Sequence, residues 1–178
     1  GDTSRWNYPN ALSVSSSPAY EGSYAGKISS HLGFDAAHVF PYGGDADQPS
    51  KFEFYWYDTP VGDGGGIQIY DENDNVVLGL ATDNPSWVVK DNNGTSTVFG
   101  GDGYGRWVRF TATIGWSAGT FDVDFEDMQS SSAYTDLGRP LINSTNLKKI
   151  QLDGYDSGSF NSGGGFGDFS VDNVGVFH

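Results

Sequence analysis

Asp122, Asp124 and Glu126 alternate with Val123 and Phe125. In an extended strand, residues two apart share a face. The three carboxylates therefore line one side of a strand. Like charges held this close resist joint ionisation, so one group can keep a proton and act as an acid beside an ionised neighbour. A structural reading stands next to the chemical one. An acidic chain that alternates apolar and polar residues builds such a row on any solvent-facing strand.

A second set of residues suits recognition rather than catalysis. Sugar rings present C–H faces that stack on aromatic rings, while nearby Asp, Gln and Arg bond their hydroxyls. Tyr55 and Tyr57 fall opposite the apolar face of their strand, beside Glu53, and Tyr70 lies near Gln68. Arg109 shares a strand with polar neighbours. Trp87 and Trp116 are expected in turns, where a protruding ring needs a partner. These six residues form the candidate ligand set. Core packing is the alternative for each of them, and the expected role of Trp56 and Trp107.

Other chemistry is absent from the pattern. His31, His38 and His178 lack the spacing of a helical metal motif. No Gly-x-Ser-x-Gly elbow occurs. The string Gly100 to Gly105 carries an acid and precedes no helix, so it is not a phosphate loop. Asp71, Asn73 and Asn75 alternate as in a calcium loop but lack its Gly and distal Glu, which favours a hairpin turn.

The elements that must position these residues are strands. Periodicity is two nearly everywhere. Lys51 to Tyr57 puts Phe52, Phe54 and Trp56 on one face. Strands follow at Ile67–Tyr70 and Val76–Ala81, joined by a turn at Asp71–Asn75. Trp107–Ile114 and Thr120–Glu126 form a long hairpin about Gly115–Gly119. Leu147–Leu152 and Phe169–Phe177 are later strands, and short ones are expected at Ala11–Ser15 and Tyr24–Ser30 around a turn at Glu21-Gly22. Ser157–Gly167 reads as a loop. About a dozen short strands between Gly- and Asp-rich turns predict an all-β, two-sheet antiparallel jelly-roll sandwich. The 178 residues suit a single domain, 1–178.

Composition narrows the partners. The formal charge is −14, from 23 acidic and 9 basic residues. Such a chain repels nucleic acid and anionic membranes, and no apolar run is long enough for a membrane span. The Asp-rich, Lys-poor surface suits either high salt, where screening relieves self-repulsion, or Asp-rich turns and calcium sites. With no cysteine, disulfides and thiol chemistry are excluded. No basic, apolar leader opens the sequence, as in a mature or excised segment. Asn93-Gly94-Thr95 and Asn143-Ser144-Thr145 are glycosylation sequons in polar, loop-like stretches, which points to extracellular exposure.

Four segments resemble the concanavalin A-like, laminin-G-like jelly roll of carbohydrate-binding modules. They are Trp6 with Ala19–Ile28, the aromatic strand Phe52–Tyr57, Gly105–Val108 through Gly119–Val123, and the closing Phe169–Val174. In related modules a structural calcium joins the N-terminal segment to the last strand. The resemblance assigns its ligands to Asp172 and to Asp2 or Glu21. The row Asp122-x-Asp124-x-Glu126 is similar to the Glu-x-Asp-x-Glu signature of laminarinase-like glycoside hydrolases, with Asp in the nucleophile position. The superfamily holds lectins, adhesion domains, hydrolases and lyases, so fold alone does not give function. The expected function is a non-catalytic, extracellular, lectin-like module of a longer protein, binding a polysaccharide or surface glycan. The alternatives are a structural or adhesion domain of a cell surface, filament or virion that self-assembles, and a small hydrolase or lyase.

Overall fold

A computed structural model describes residues 12–28, 36–39, 47–58, 66–83, 86–100, 105–153 and 169–178. The described strands are β1 (Leu12–Ser15), β2 (Ala25–Ile28), β3 (Ala36–Val39), β4 (Lys51–Asp58), β5 (Gly66–Tyr70), β6 (Val76–Asp83), β7 (Ser86–Asp91), β8 (Gly94–Gly100), β9 (Trp107–Gly115), β10 (Thr120–Asp127), β11 (Ala133–Pro140), β12 (Lys149–Asp153) and β13 (Phe169–Phe177). They form a seven-stranded sheet, β1-β2-β13-β4-β9-β10-β11, and a six-stranded sheet, β3-β12-β5-β6-β7-β8. Every pairing between strands is antiparallel. This is the expected two-sheet jelly-roll sandwich.

Period-two alternation builds the core between the sheets. Phe52, Phe54 and Trp56 of β4, Val108, Phe110, Ala112 and Ile114 of β9, and Phe121, Val123 and Phe125 of β10 point inward and are buried. Ile67, Ile69, Leu78, Leu80, Trp87, Val89, Ile150 and Leu152 meet them from the other sheet. The rings interlock edge to face: Trp56 and Trp87 lie 5.8 Å apart at 73°, and Phe125 touches both Trp87 and Phe110 at 5.4 Å. Such offset contacts add to area burial and fix one packing arrangement.

Between β7 and β8 lies a tight turn. Asn93 N–H bonds Asp91 Oδ1 at 2.7 Å, and Gly94 adopts φ 106°, a conformation that other residues resist. At the open edge of the sandwich, Arg139 of β11 reaches across to β7. It pairs with Asp91 at 2.7 Å and with Asp136 at 2.6 Å, and its side chain is only 11% exposed. Such a pair ties β11 to β7, and a buried ion pair adds little net stability by itself.

Several strand expectations were incomplete. β7, β8, β11 and β3 were not anticipated, and Trp87 lies in β7 rather than in a turn. Leu147 precedes β12 and joins Asp47 in an isolated bridge. The expected loop 157–167 lies outside the described residues.

Candidate functional site

The outer face of the seven-stranded sheet carries the polar halves of the same alternating strands. Register places residues of β4, β9, β10 and β11 in rows across the sheet. One row is Asp172, Tyr55, Arg109, Glu126 and Ala133. The next is Glu53, Thr111, Asp124 and Thr135, and a third brings Lys51 beside Thr113 and Asp122. A half-open groove of about 360 Å³ runs over the middle of this face. Its lining includes Lys51, Glu53, Arg109, Thr111, Asp124 and Glu126.

The carboxylate row is real, but its members are tied to neighbouring strands in three different ways. Asp122 accepts the Gly138 N–H at 2.7 Å, and Asp124 accepts the Thr135 hydroxyl at 2.5 Å. Glu126 pairs with the Arg109 guanidinium. On the far side of Arg109, Glu53 accepts the Thr111 hydroxyl at 3.2 Å and lies 3.6 Å from Lys51 Nζ. Burial works against the charge of Arg109. Glu126, Tyr55 and Glu53 outweigh burial and raise its pKa above the ordinary value.

The six aromatic and arginine candidates divide between the two sheets. Tyr55, Tyr57 and Arg109 share the outer face just described. Tyr20, from the segment before β2, stacks on Tyr55 at 4.0 Å and 18°, and covers the edge of Trp107 at 5.8 Å. Tyr57 packs on Trp107 at 5.3 Å. Burial, with Tyr55 and Glu21 nearby, raises the Tyr20 pKa, so this phenol stays neutral. Tyr20 covers Tyr55 and Trp107 beside the groove, and it carried no periodic signal because it lies outside any strand.

The remaining candidates do not join this face. Tyr70 lies on the six-stranded sheet, where its hydroxyl donates to Gln68 at 3.0 Å and Lys149 sits over its ring. Trp87 is 1% exposed, so its ring belongs to the core and not to a ligand platform. Trp116 is in the β9–β10 turn as expected, but it folds back. Its indole donates to the Pro49 carbonyl at 2.8 Å and packs against the core.

The proposed calcium ligands serve another purpose. Asp172 Oδ2 accepts the backbone N–H groups of Tyr20 at 3.0 Å and Glu21 at 3.1 Å, and Asn173 donates to Glu21 at 3.0 Å. A calcium ion needs converging oxygens. Here two backbone N–H groups already take up Asp172 Oδ2. The clamp itself joins the N-terminal segment to the last strand. Asp2 lies outside the described residues, and among the described residues no group of three metal-ligating side chains occurs.

Asp71 likewise holds a turn. It accepts N–H groups from Asn73 and Asn75, both at 2.8 Å, and the Asn143 amide. Asn143 also accepts from Thr145. The Asn143 sequon is thus engaged, whereas Asn93 is exposed at its turn.

No protein-family model and no curated protein matches the sequence. Solved structures match the fold. A sialidase aligns with a TM-score of 0.64 at 14% identity, over 98% of this chain and 17% of its own. The chain therefore spans about a sixth of that protein. A GH131 β-glucanase catalytic domain from Podospora anserina aligns with a TM-score of 0.63 at 12% identity, over 98% of this chain and 85% of its own. The LG1–3 region of a laminin α2 chain aligns at 0.50 and 12% identity, over 84% of this chain and 30% of its own. The fold is the concanavalin A-like, laminin-G-like jelly roll.

Proposed function

We propose that this domain is a non-catalytic carbohydrate-binding module whose ligand occupies the groove on the seven-stranded sheet. The observation that carries the reading is the groove itself. Its floor brings hydroxyl, carboxylate and guanidinium groups from four neighbouring strands to one open face, with the stacked Tyr20 and Tyr55 alongside. Carboxylates accept hydroxyl protons, and Thr and Arg supply donors. Shared fold with a sialidase and a β-glucanase catalytic domain supports a carbohydrate ligand. The sialidase match also supports a place within a longer protein, and the exposed Asn93 sequon supports work outside the cell.

The ties on the row support binding without turnover. A general acid must hold a proton at the scissile oxygen. Glu126 is instead committed to Arg109, and Asp122 and Asp124 to donors on or beside β11. Titration calorimetry against soluble neutral polysaccharides should show binding that Thr111→Ala weakens several-fold. No heat from any glycan would refute the reading.

A second reading rests on Glu53 and Asp124, which face each other across β9. An inverting glycosidase uses two carboxylates on opposite sides of the scissile bond, one as acid and one activating a water. Release of reducing ends, lost in Glu53→Gln, would favour it over binding alone.

A further inference from the structure

Arg109 supplies the guanidinium of the groove lining, and its side chain is 40% exposed. A guanidinium so placed is the group an acidic sugar would seek, because it forks onto carboxylate and sulfate oxygens. In this protein that place already holds an anion. Glu126 lies directly beside Arg109 on β10, and Glu53 approaches from β4. The second cation of the lining, Lys51, is near Glu53 and rests over the Phe177 ring at 4.0 Å. Three carboxylates thus share the groove with two cations, in a chain of formal charge −14.

From this arrangement, and resting on the carbohydrate reading above, we propose that Glu126 is a specificity-determining residue. It stands in for a ligand anion and restricts the groove to uncharged glycans. An incoming uronate, sialate or sulfate would have to displace Glu126 from Arg109 and then lie among Glu53, Asp124 and the freed Glu126. Like charges brought together in this way strongly disfavour the wrong partner. A neutral sugar meets no such penalty. Its hydroxyls donate to the outer oxygens of Glu53, Asp124 and Glu126 while the internal ion pair stays closed. The row Glu53–Thr111–Asp124–Thr135 crosses four strands, about 14 Å at the usual strand spacing. That length suits a short stretch of chain rather than a single ring.

The test compares polymers that share a backbone, one neutral and one anionic. Hydroxyethylcellulose is set against carboxymethylcellulose, laminarin against laminarin sulfate, and neutral galactan against its sulfated form. Each is measured with the wild-type protein and with Glu126→Gln. Wild-type protein should prefer the neutral member of whichever pair it binds by about tenfold or more. Glu126→Gln frees Arg109 and removes one repelling charge, so the anionic-to-neutral affinity ratio should rise about tenfold. If the variant does not fold, salt gives the same information. Raising salt to about 1 M shortens the screening length to about 3 Å, and the wild-type preference should narrow. Equal or tighter binding of the anionic member by wild-type protein would overturn the proposal and leave the carbohydrate reading intact. A ratio unmoved by both the variant and salt would also overturn it. Failure of every polymer to bind would overturn the carbohydrate reading, and this inference with it.

Discussion

Asp127 ends β10 and organises the turn into β11. It accepts the Ser130 hydroxyl at 2.7 Å, N–H groups from Gln129 at 2.8 Å and Ser130 at 3.2 Å, and the Arg106 guanidinium at 2.8 Å. Its side chain is 8% exposed. Burial by itself would raise the carboxyl pKa, but these four donors outweigh burial and lower it from 3.8 to about 2. By linkage, a carboxylate with a depressed folded pKa stabilises the fold above its unfolded value. That contribution is about 2 kcal/mol. It is fully present at pH 7 and is lost as pH falls from 3.8 to about 2. Asp127→Asn keeps the shape and removes the charge. Urea unfolding followed by Trp fluorescence should place the variant about 2 kcal/mol below wild type at pH 7, with an unchanged slope. At pH 2 the gap should shrink by about half or more, because wild-type Asp127 is then substantially protonated. Other carboxylates titrate in both proteins and cancel in the difference. A gap of equal size at both pH values, or none at pH 7, would refute the reasoning.

Two further outcomes follow from the same kind of geometry. Asp172→Ala removes the acceptor for the Tyr20 and Glu21 N–H groups and should cost about 1–3 kcal/mol. Because N–H donors already face that carboxylate, a chelator should leave the wild-type melting temperature unchanged, and a fall of several degrees would show a bound calcium. Asn143→Gln should lower stability by about 1–2 kcal/mol through loss of the contacts to Asp71 and Thr145, while Asn93→Gln should be silent in the same melts. In a glycosylating host, mass analysis of tryptic peptides should find sugar on Asn93 and not on Asn143. The reverse pattern would sink the argument.

The long amphipathic strands were legible in the sequence because each has one apolar face. β4, β9 and β10 show clean alternation, and their inward residues form the core. β7 and β8 were missed for a physical reason. In β7, Trp87, Val88 and Val89 are all buried, so alternation fails, and β8 lies at the edge of its sheet with few apolar residues. β11 is also an edge strand, with no fully buried residue and Gly138 at φ 71°. Such a strand carries little hydrophobic signal. Outward placement of Tyr55, Tyr57 and Arg109 followed from period two. Their partners did not, because register between strands far apart in sequence is set by packing and turn geometry.

That limit applies to the carboxylate row when it is read from β10 alone. Spacing puts Asp122, Asp124 and Glu126 on one face, and the structure keeps them there. What each group can do is decided by the strands on either side. β9 supplies the Arg109 that binds Glu126, and β11 supplies the Thr135 hydroxyl and the Gly138 N–H that bind the two aspartates. Catalysis by paired carboxylates needs one group free to donate a proton and another free to attack or activate water. A row in which each member already has its own donor is suited to holding hydroxyls in a fixed pattern. The same alternation that buries Phe121, Val123 and Phe125 thus sets the acidic row on the outer face, where the neighbouring strands supply a partner for each carboxylate.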